Sequence, residues 1–388
     1  MPGRFKVLSA GVFSLVLTLG VARFAYTPLL PLMQQQAKLG LAAGGWLASI
    51  NYAGYLSGAA VASLIGDLVL KDRLYRAGLI LAVVTTGMMG LHTSITVWVI
   101  SRYLAGLSSA AGMLLGSGLI LNWLMRHDHR SELGIHFAGV GLGIVVSAAA
   151  VMAMNRWSLD WRHQWYAFTL LGAVLLWPAM GWLPRPSVST VTRSGESLLD
   201  APPSPNFLQV LMASYFCAGV GYAVSVTFIV AIVDQFSDRA GHGALAFLVI
   251  GAAATPSCVL WDFIARRTGN LNALILAGAL QIAGILILIF ITGLLATLCG
   301  AVLFGATVIG IVSLVLTMAG RYYPTRPAKM MGKMTLAYGL AQVIAPAVTG
   351  VLAAYFGSYR SGLYLAAGVM FIGTVLLSIA RWGEMTDS

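Results

Sequence analysis

Acidic side chains are scarce in this sequence. Only 12 of the 388 residues are Asp or Glu, and charged residues of both signs make up 9% of the chain. Soluble domains carry about 25% charged residues, so the composition excludes an ordinary soluble protein. All the acids fall in predicted loops or at the ends of apolar runs. The predicted mid-membrane region therefore has no carboxylate, and this disfavours an exporter of cationic drugs, which would use one to attract its substrate.

The sequence also lacks the motifs of several chemistries. The three cysteines lie within apolar runs and form neither a metal-spaced cluster nor a disulfide framework. No phosphate-binding Gly-Lys-Ser/Thr loop, zinc spacing or nucleophile elbow is present. We therefore expect no enzyme activity, no cofactor, no metal and no use of ATP. The net charge of +11 would suggest nucleic acid in a soluble protein, but here the basic residues fall in short loops, where they act as a topology signal.

Apolar runs of membrane-spanning length dominate the chain, which is 59% hydrophobic. Since a span needs about 20 apolar residues, we predict twelve: 7–31, 44–66, 74–93, 96–124, 132–154, 162–183, 207–233, 243–264, 270–291, 294–319, 330–356 and 361–382. The polar segment 184–206 is predicted to be a cytoplasmic linker between an N-terminal bundle, 1–183, and a C-terminal bundle, 207–388. The predicted fold class is an all-α membrane protein of twelve transmembrane helices in two pseudo-symmetric six-helix bundles.

Charge bias orients these spans. With the N-terminus in the cytoplasm, sixteen of the 23 basic residues fall in cytoplasmic segments and five in outside segments. This bias predicts that both termini are cytoplasmic.

The two halves repeat. Gly20 and Arg23 in span 1 align with Gly219 and Tyr222 in span 7, and further matches lie 195 to 200 residues apart. A duplicated six-helix unit is typical of a secondary transporter with its site near the midplane between the halves.

Several segments carry a family resemblance. The loop Gly66-Asp67-Leu68-Val69-Leu70-Lys71-Asp72-Arg73 and the segment Arg102-Tyr103-Leu104-Ala105-Gly106 resemble loop and span 4 motifs of the major facilitator superfamily. More narrowly, the segments 22–31, 51–56 and 136–143 are similar to its YbfB/YjiJ-type branch. The resemblance implies alternating access by a rocker-switch, spans 1, 4, 7 and 10 around a central cavity, a functional monomer, and the bacterial inner membrane. Span 5 lacks the proline of the family's antiporter motif, which leaves antiport unsupported.

Two arginines inside spans are the main candidates for substrate binding. Arg23 lies roughly 24 Å from the cytoplasmic end of span 1, and Arg102 lies roughly 9 Å from the other face in span 4, so both sit at similar depth. Two permanent cations with several N–H donors suit a carboxylate, sulfonate or phosphate. The alternative is that each arginine binds backbone carbonyls or holds the helices in register.

Other polar residues cluster at the same depth. We predict that Tyr26, Asn51, Tyr55, Tyr222 and Gln342 complete the substrate site, since small-molecule sites combine aromatic walls with a few polar groups. The alternative for the tyrosines is ordinary packing, and for Gln342 it is a hydrogen bond between helices.

Two further sets have predicted roles outside the substrate site. Asp67, Arg73, Asp262 and Arg266 are candidates for a cytoplasmic gate, the alternative being plain topology charge. His136 and Asp234 are candidates for proton coupling, although a packing or capping role suits His136 better at its depth.

The sequence therefore predicts a secondary carrier in the lipid bilayer for a small organic anion, driven by an ion gradient and most simply by protons. The alternatives are an exporter of neutral or amphipathic compounds and, in another class, a membrane sensor or scaffold without flux.

Overall fold

The computed structural model describes residues 3–91, 93–127, 133–186, 202–234, 241–291, 293–322 and 327–386. This part of the chain is helical and contains no strand. Most of the predicted linker, 187–201, lies outside the described residues, so the domain boundaries stay a prediction.

The described helices follow the predicted spans. In chain order they are α1 (Arg4–Gln36), α2 (Leu41–Leu64), α3 (Leu68–Leu91), α4 (Ile95–Ala110, Ala111–Leu115 and Gly116–Arg126 in succession), α5 (Gly134–Arg156), α6 (Trp161–Gly181), α7 (Pro205–Asp234), α8 (Gly243–Thr268), α9 (Asn270–Phe290), α10 (Leu294–Tyr322), α11 (Pro327–Phe356) and α12 (Arg360–Thr386). Ten of them are long and apolar enough to cross a membrane. The exceptions are α2 and α6, so a count of twelve spans remains a prediction.

Local signals set the ends of these helices. Asp160 caps α6 by accepting a hydrogen bond from the backbone N–H of His163 at 2.9 Å, and this bond lowers the pKa of the Asp160 carboxyl. Gly269, with a φ of +89°, separates α8 from α9, because a residue without a Cβ adopts that conformation readily. Short breaks of this kind turn successive helices antiparallel.

The same helix pairs pack in both halves. α1 packs on α5, α2 on α4 and α3 on α6, and the corresponding pairs α7–α11, α8–α10 and α9–α12 pack in the second half. Two six-helix bundles related by this pattern confirm the predicted pseudo-symmetry. Large apolar side chains such as Leu170, Trp177 and Leu295 are at least 70% exposed around the outside, where lipid would cover them.

Two seams join the bundles, α2 against α11 and α5 against α8. We call the end of the molecule where α1 begins and α12 ends the terminal face, and the other end the opposite face. Near the opposite face, a Cβ on Gly45 would lie 2.9 Å from the Cα of Gly350. Near the terminal face, a Cβ on Gly332 would lie 3.0 Å from the Cβ of Ser63. The α2–α11 seam is therefore closed along its length.

Candidate functional site

A widened turn in α1 positions the main candidate side chain. Residues Val16–Phe24 are π-helical, and the turn closes where the N–H of Ala25 donates to the carbonyl of Gly20 at 2.9 Å. Such turns are frequent at functional sites. Three side chains from α4 and α5 donate to its carbonyl groups: Ser109 to Thr18 at 3.0 Å, Arg102 to Ala22 at 3.1 Å and Ser147 to Gly20 at 2.8 Å. The neighbouring helices therefore fix the turn that carries Arg23.

The Arg23 guanidinium lies in an aromatic box. It is 6% exposed, and its Nη2 donates to Oε1 of Gln342 at 3.1 Å, a hydrogen bond between α1 and α11. Its Nε is buried and makes no hydrogen bond with any residue that the structure describes. Four rings surround the guanidinium carbon, with centroids at 4.3 Å for Tyr52, 5.1 Å for Tyr55, 5.7 Å for Phe24 and 6.0 Å for Tyr222.

This buried charge has no carboxylate beside it in the part of the chain that the structure describes. The ion pairs found there involve Asp72, Asp160 and Asp262, none of which pairs with Arg23. Each cation–π contact contributes about 0.5–2 kcal/mol, whereas taking an ion out of water costs several kcal/mol. Four such contacts together offset a large share of this cost. The rings carry no opposite charge, however, and an anion in this place would supply one.

A cavity between the bundles opens beside Arg23. About 510 Å³ of space free of protein atoms lies here, including space that is open to the solvent. Polar and aromatic groups in its wall are Arg23, Phe24, Tyr55, Tyr215, Tyr222, Thr335, Tyr338 and Gln342, and the rest of its wall is Leu19, Met113, Val140, Ile309, Val312 and Leu316. Both bundles contribute, as expected for a site near the midplane of a duplicated carrier.

Helix register places Arg23 at the deep end of this cavity. α1, α7 and α11 all begin at the terminal face, and Leu19, Tyr215 and Thr335 come before Arg23, Tyr222 and Gln342 in the three helices. Seven residues of helix correspond to about 10 Å. The cavity therefore extends from Arg23 and Gln342 toward the terminal face by roughly that distance.

Hydrogen bonds between the bundles close the opposite face. Thr27 Oγ1 donates to the carbonyl of Val226 at 3.0 Å, and Gln34 Nε2 donates to the hydroxyl of Tyr359 at 3.1 Å. The Tyr359 hydroxyl in turn donates to the carbonyl of Leu41 at 2.8 Å. We call these three bonds the outer seam. Since it is uncharged, it can break and re-form without moving an ion out of water.

Four of the seven predicted substrate residues line the cavity: Arg23, Tyr55, Tyr222 and Gln342. The other three lie outside the cavity wall. Arg102 donates to the carbonyl of Ala22, and its guanidinium carbon lies 4.5 Å from the ring centroid of Tyr26.

Tyr26 and Asn51 also have structural contacts. The Tyr26 hydroxyl donates to the carbonyl of Gly44 at 2.9 Å, and Asn51 Nδ2 donates to the carbonyl of Arg102 at 2.8 Å. These contacts hold α1, α2 and α4 together behind Arg23. A substrate role for the seven residues stays a prediction.

The structure gives the predicted gate residues local partners. Asp67 accepts from the N–H of Val69 at 2.9 Å, and Asp262 pairs with Arg266 one turn further along α8, largely exposed. Arg73 is exposed. None of these contacts crosses between the bundles, so a gate role stays a prediction.

An ion pair that the sequence analysis did not single out lies on α3, close to the gate candidates Asp67 and Arg73. Arg76 pairs with the buried Asp72 at 3.0 Å and donates to the carbonyls of Met180 and Leu183. It ties α3 to the end of α6 at the terminal face.

The predicted proton-coupling residues also have structural contacts. His136 is fully buried, its Nε2 lies 2.8 Å from Oγ of Ser117, and it does not line the cavity. Asp234 accepts from the N–H groups of Gly241 and Gly243, at 3.1 and 2.8 Å, and so ties the end of α7 to the start of α8. A coupling role for either residue stays a prediction.

Sequence reasoning missed two aromatic members of the cavity wall. Tyr215 and Tyr338 stack on each other, with ring centroids 4.4 Å apart and planes 24° apart. Helical spacing could have found them, because Tyr215 precedes Tyr222 by seven residues and Tyr338 precedes Gln342 by four. Both spacings put the two residues on one helix face.

Comparisons with known proteins give a consistent picture. A family model described as "Uncharacterised MFS-type transporter YbfB" matches residues 15–378. The MFS-type transporter YceJ of Bacillus subtilis is 32% identical over 98 residues, which is 25% of either chain. The MFS-type transporter Rv1877 of Mycobacterium tuberculosis is 23% identical over 331 residues, or 84% of this chain. The match spans 42% of Rv1877, so this chain covers less than half the length of either relative.

Solved structures match the whole fold. A point mutant of the nucleoside transporter NupG superimposes with a TM-score of 0.73 over 97% of this chain and 98% of NupG, at 13% identity. A second NupG structure gives a TM-score of 0.68. At this identity the likeness is one of fold alone.

Proposed function

We propose a cargo for this chain, which belongs to the major facilitator superfamily and, within it, to the family of the MFS-type transporter YbfB. Members of this superfamily are secondary transporters and not enzymes. The proposed cargo is a small organic anion, moved across a bacterial inner membrane by alternating access and driven by a proton gradient. Both termini would face the cytoplasm.

One observation carries the proposal, the buried Arg23 guanidinium in the cavity wall. Its charge lies at the deep end of the cavity, and among the described residues its Nε has no hydrogen-bond partner and no ion pair includes it. A carboxylate would accept from Arg23 and restore charge balance at a guanidinium that is 6% exposed. The arginine fork suits a planar carboxylate better than a spherical anion.

The hydrogen bond between Arg23 and Gln342 suggests how cargo would act on the two bundles. It joins α1 to α11 at 3.1 Å. An arriving carboxylate competes with the Gln342 oxygen for the same Nη2 donor. Binding would therefore replace a direct contact between the bundles by one through the cargo, and the outer seam would open in the other half of the cycle.

Proton coupling would not need a protein carboxylate. None of the residues that line the described cavity is acidic. The proton would enter with the cargo, so that carboxylate and proton cross together without net charge.

A second candidate is export of neutral or amphipathic compounds. Most of the cavity wall is aromatic or aliphatic, with Leu19, Ile309 and Leu316 among its members, and such a wall also binds uncharged molecules. NupG is a nucleoside transporter, and nucleosides are neutral, but a likeness at 13% identity carries no substrate to this chain.

A binding and flux experiment distinguishes transport of an organic anion from export of neutral or amphipathic compounds. Purified protein is tested with acetate, succinate and benzoate and with the three matching amides, and thermal stabilisation is measured. We expect at least one anion to stabilise the protein more than its amide does. Proteoliposomes should then accumulate that anion when the outside is made acidic, and a protonophore should stop the accumulation. Equal stabilisation by all the amides and anions would refute the anion assignment and favour the neutral one.

A further inference from the structure

The cavity wall is asymmetric between its deep end and its terminal-face end. At the deep end the polar atoms of Arg23 and Gln342 meet at 3.1 Å. Toward the terminal face the wall has tyrosine rings on one side and aliphatic side chains such as Leu19, Val140 and Leu316 elsewhere. A cargo bound by Arg23 would therefore place its carboxylate deep and its body among these rings.

The tyrosine rings form a continuous series that begins at the guanidinium. The Tyr222 centroid lies 6.0 Å from the Arg23 guanidinium carbon, Tyr338 lies 5.7 Å from Tyr222, and Tyr215 lies 4.4 Å from Tyr338. The ring plane of Tyr338 is tilted by 32° from that of Tyr222 and by 24° from that of Tyr215. We call Tyr222, Tyr338 and Tyr215 the tyrosine row. All three are less than a tenth exposed.

The tyrosine row does more than pack its own two helices, α7 and α11, against each other. Core packing needs apolar surface, which leucine supplies without a polar atom. Yet Tyr215 and Tyr338 both line the cavity, and their hydroxyls are not among the buried, unpartnered side-chain atoms of the described residues. Stacked rings that line a cavity beside a charge are suited to a flat, polarisable molecule.

From this geometry we infer that the cargo is an aromatic carboxylate, whose carboxylate binds Arg23 and Gln342 and whose ring packs on the tyrosine row. The inference rests on the proposed function, because it takes the anion at Arg23 as given. It adds that an aromatic ring is preferred over a saturated ring of the same size. Aromatic pairs gain about 0.5–1.5 kcal/mol beyond buried area, which corresponds to a preference of about 2- to 10-fold.

The test compares benzoate with cyclohexanecarboxylate, which has the same charge and ring size but no π-face. Affinities are measured by calorimetry on the purified full-length protein. We expect benzoate to bind about 2- to 10-fold more tightly. In Tyr338→Leu, which removes the middle ring of the row, this preference should fall, whereas Tyr338→Phe, which keeps the ring, should retain it.

A matched control lies on the same helix. Tyr355 is 83% exposed on α11, so Tyr355→Leu removes the same side chain away from the cavity and should leave the preference unchanged. If Tyr338→Leu does not fold, Tyr215→Leu removes the neighbouring ring and makes the same prediction.

The outcomes distinguish a failure of the aromatic inference from a failure of the anion proposal. If both carboxylates bind equally well and both depend on Arg23, the aromatic inference is wrong and the anion proposal stands. If benzamide binds as tightly as benzoate and Arg23→Gln has no effect on either, the anion proposal is wrong. If neither carboxylate binds, the aromatic inference is overturned.

Discussion

Replacing Arg23 by glutamine removes the charge that the cavity offers to a cargo. In the free protein the cost should be small, because the part of the chain described here gives Arg23 no carboxylate that the substitution would leave unpaired. Glutamine ends two bonds short of the Nη2 that donates to Gln342, so the variant loses that one hydrogen bond, about 1 kcal/mol, but it no longer buries a charge. We therefore expect the unliganded variant to unfold at the same temperature as the wild type or higher.

Binding should change by much more. A hydrogen bond to a charged group contributes about 1.5–3 kcal/mol, so the affinity for a carboxylate should fall about 10- to 150-fold. A ligand present at 100 times its Kd stabilises the wild type by about 2.7 kcal/mol. If the Kd of Arg23→Gln is raised about 100-fold, the same concentration stabilises the variant by only about 0.4 kcal/mol.

Thermal unfolding in detergent with a bound carboxylate measures this difference directly. Arg162→Gln is the matched control, because Arg162 is an exposed arginine at the start of α6 whose loss removes the same charge at the surface. It should respond to the ligand as the wild type does. Equal stabilisation of Arg23→Gln and the wild type by every carboxylate that binds would show that Arg23 is not the charge partner.

Three further substitutions test other parts of the site. Gln342→Glu places a carboxylate beside Arg23, so it should raise the unfolding temperature and weaken anion binding at least tenfold, as calorimetry would show; tighter anion binding would contradict the geometry. Arg102→Gln should lower the unfolding temperature, because it loses about 1–3 kcal/mol of contacts within its bundle. The Kd for a carboxylate should change less than threefold. A loss of carboxylate affinity as large as that of Arg23→Gln would show that Arg102 belongs to the binding site. Gly106→Ala should prevent folding, since its Cβ would lie 1.9 Å from the carbonyl oxygen of Asn51. Gly118→Ala is the control: its Cβ would lie in open space, and it should purify normally. Size-exclusion profiles of the two variants test this, and a normal profile for Gly106→Ala would contradict it.

The sequence by itself determined the class of the protein and its helices. Apolar runs longer than about 20 residues admit few structures in lipid, because every backbone group there must be bonded within its own segment. The repeat of Gly20 and Arg23 at Gly219 and Tyr222 indicated two related bundles. A charge inside a span also marked Arg23 as a residue that needs a partner or a cavity.

Only the tertiary structure decided which polar residues face the cavity. Arg23 and Arg102 looked equivalent at similar depth, but side-chain direction depends on helix rotation and on the π-helical turn, which span length does not reveal. The turn lets Arg102 reach the carbonyl of Ala22, while Arg23 points into the space between the bundles. The tyrosine row became visible for the same reason, since its rings meet only when α7 and α11 pack against each other.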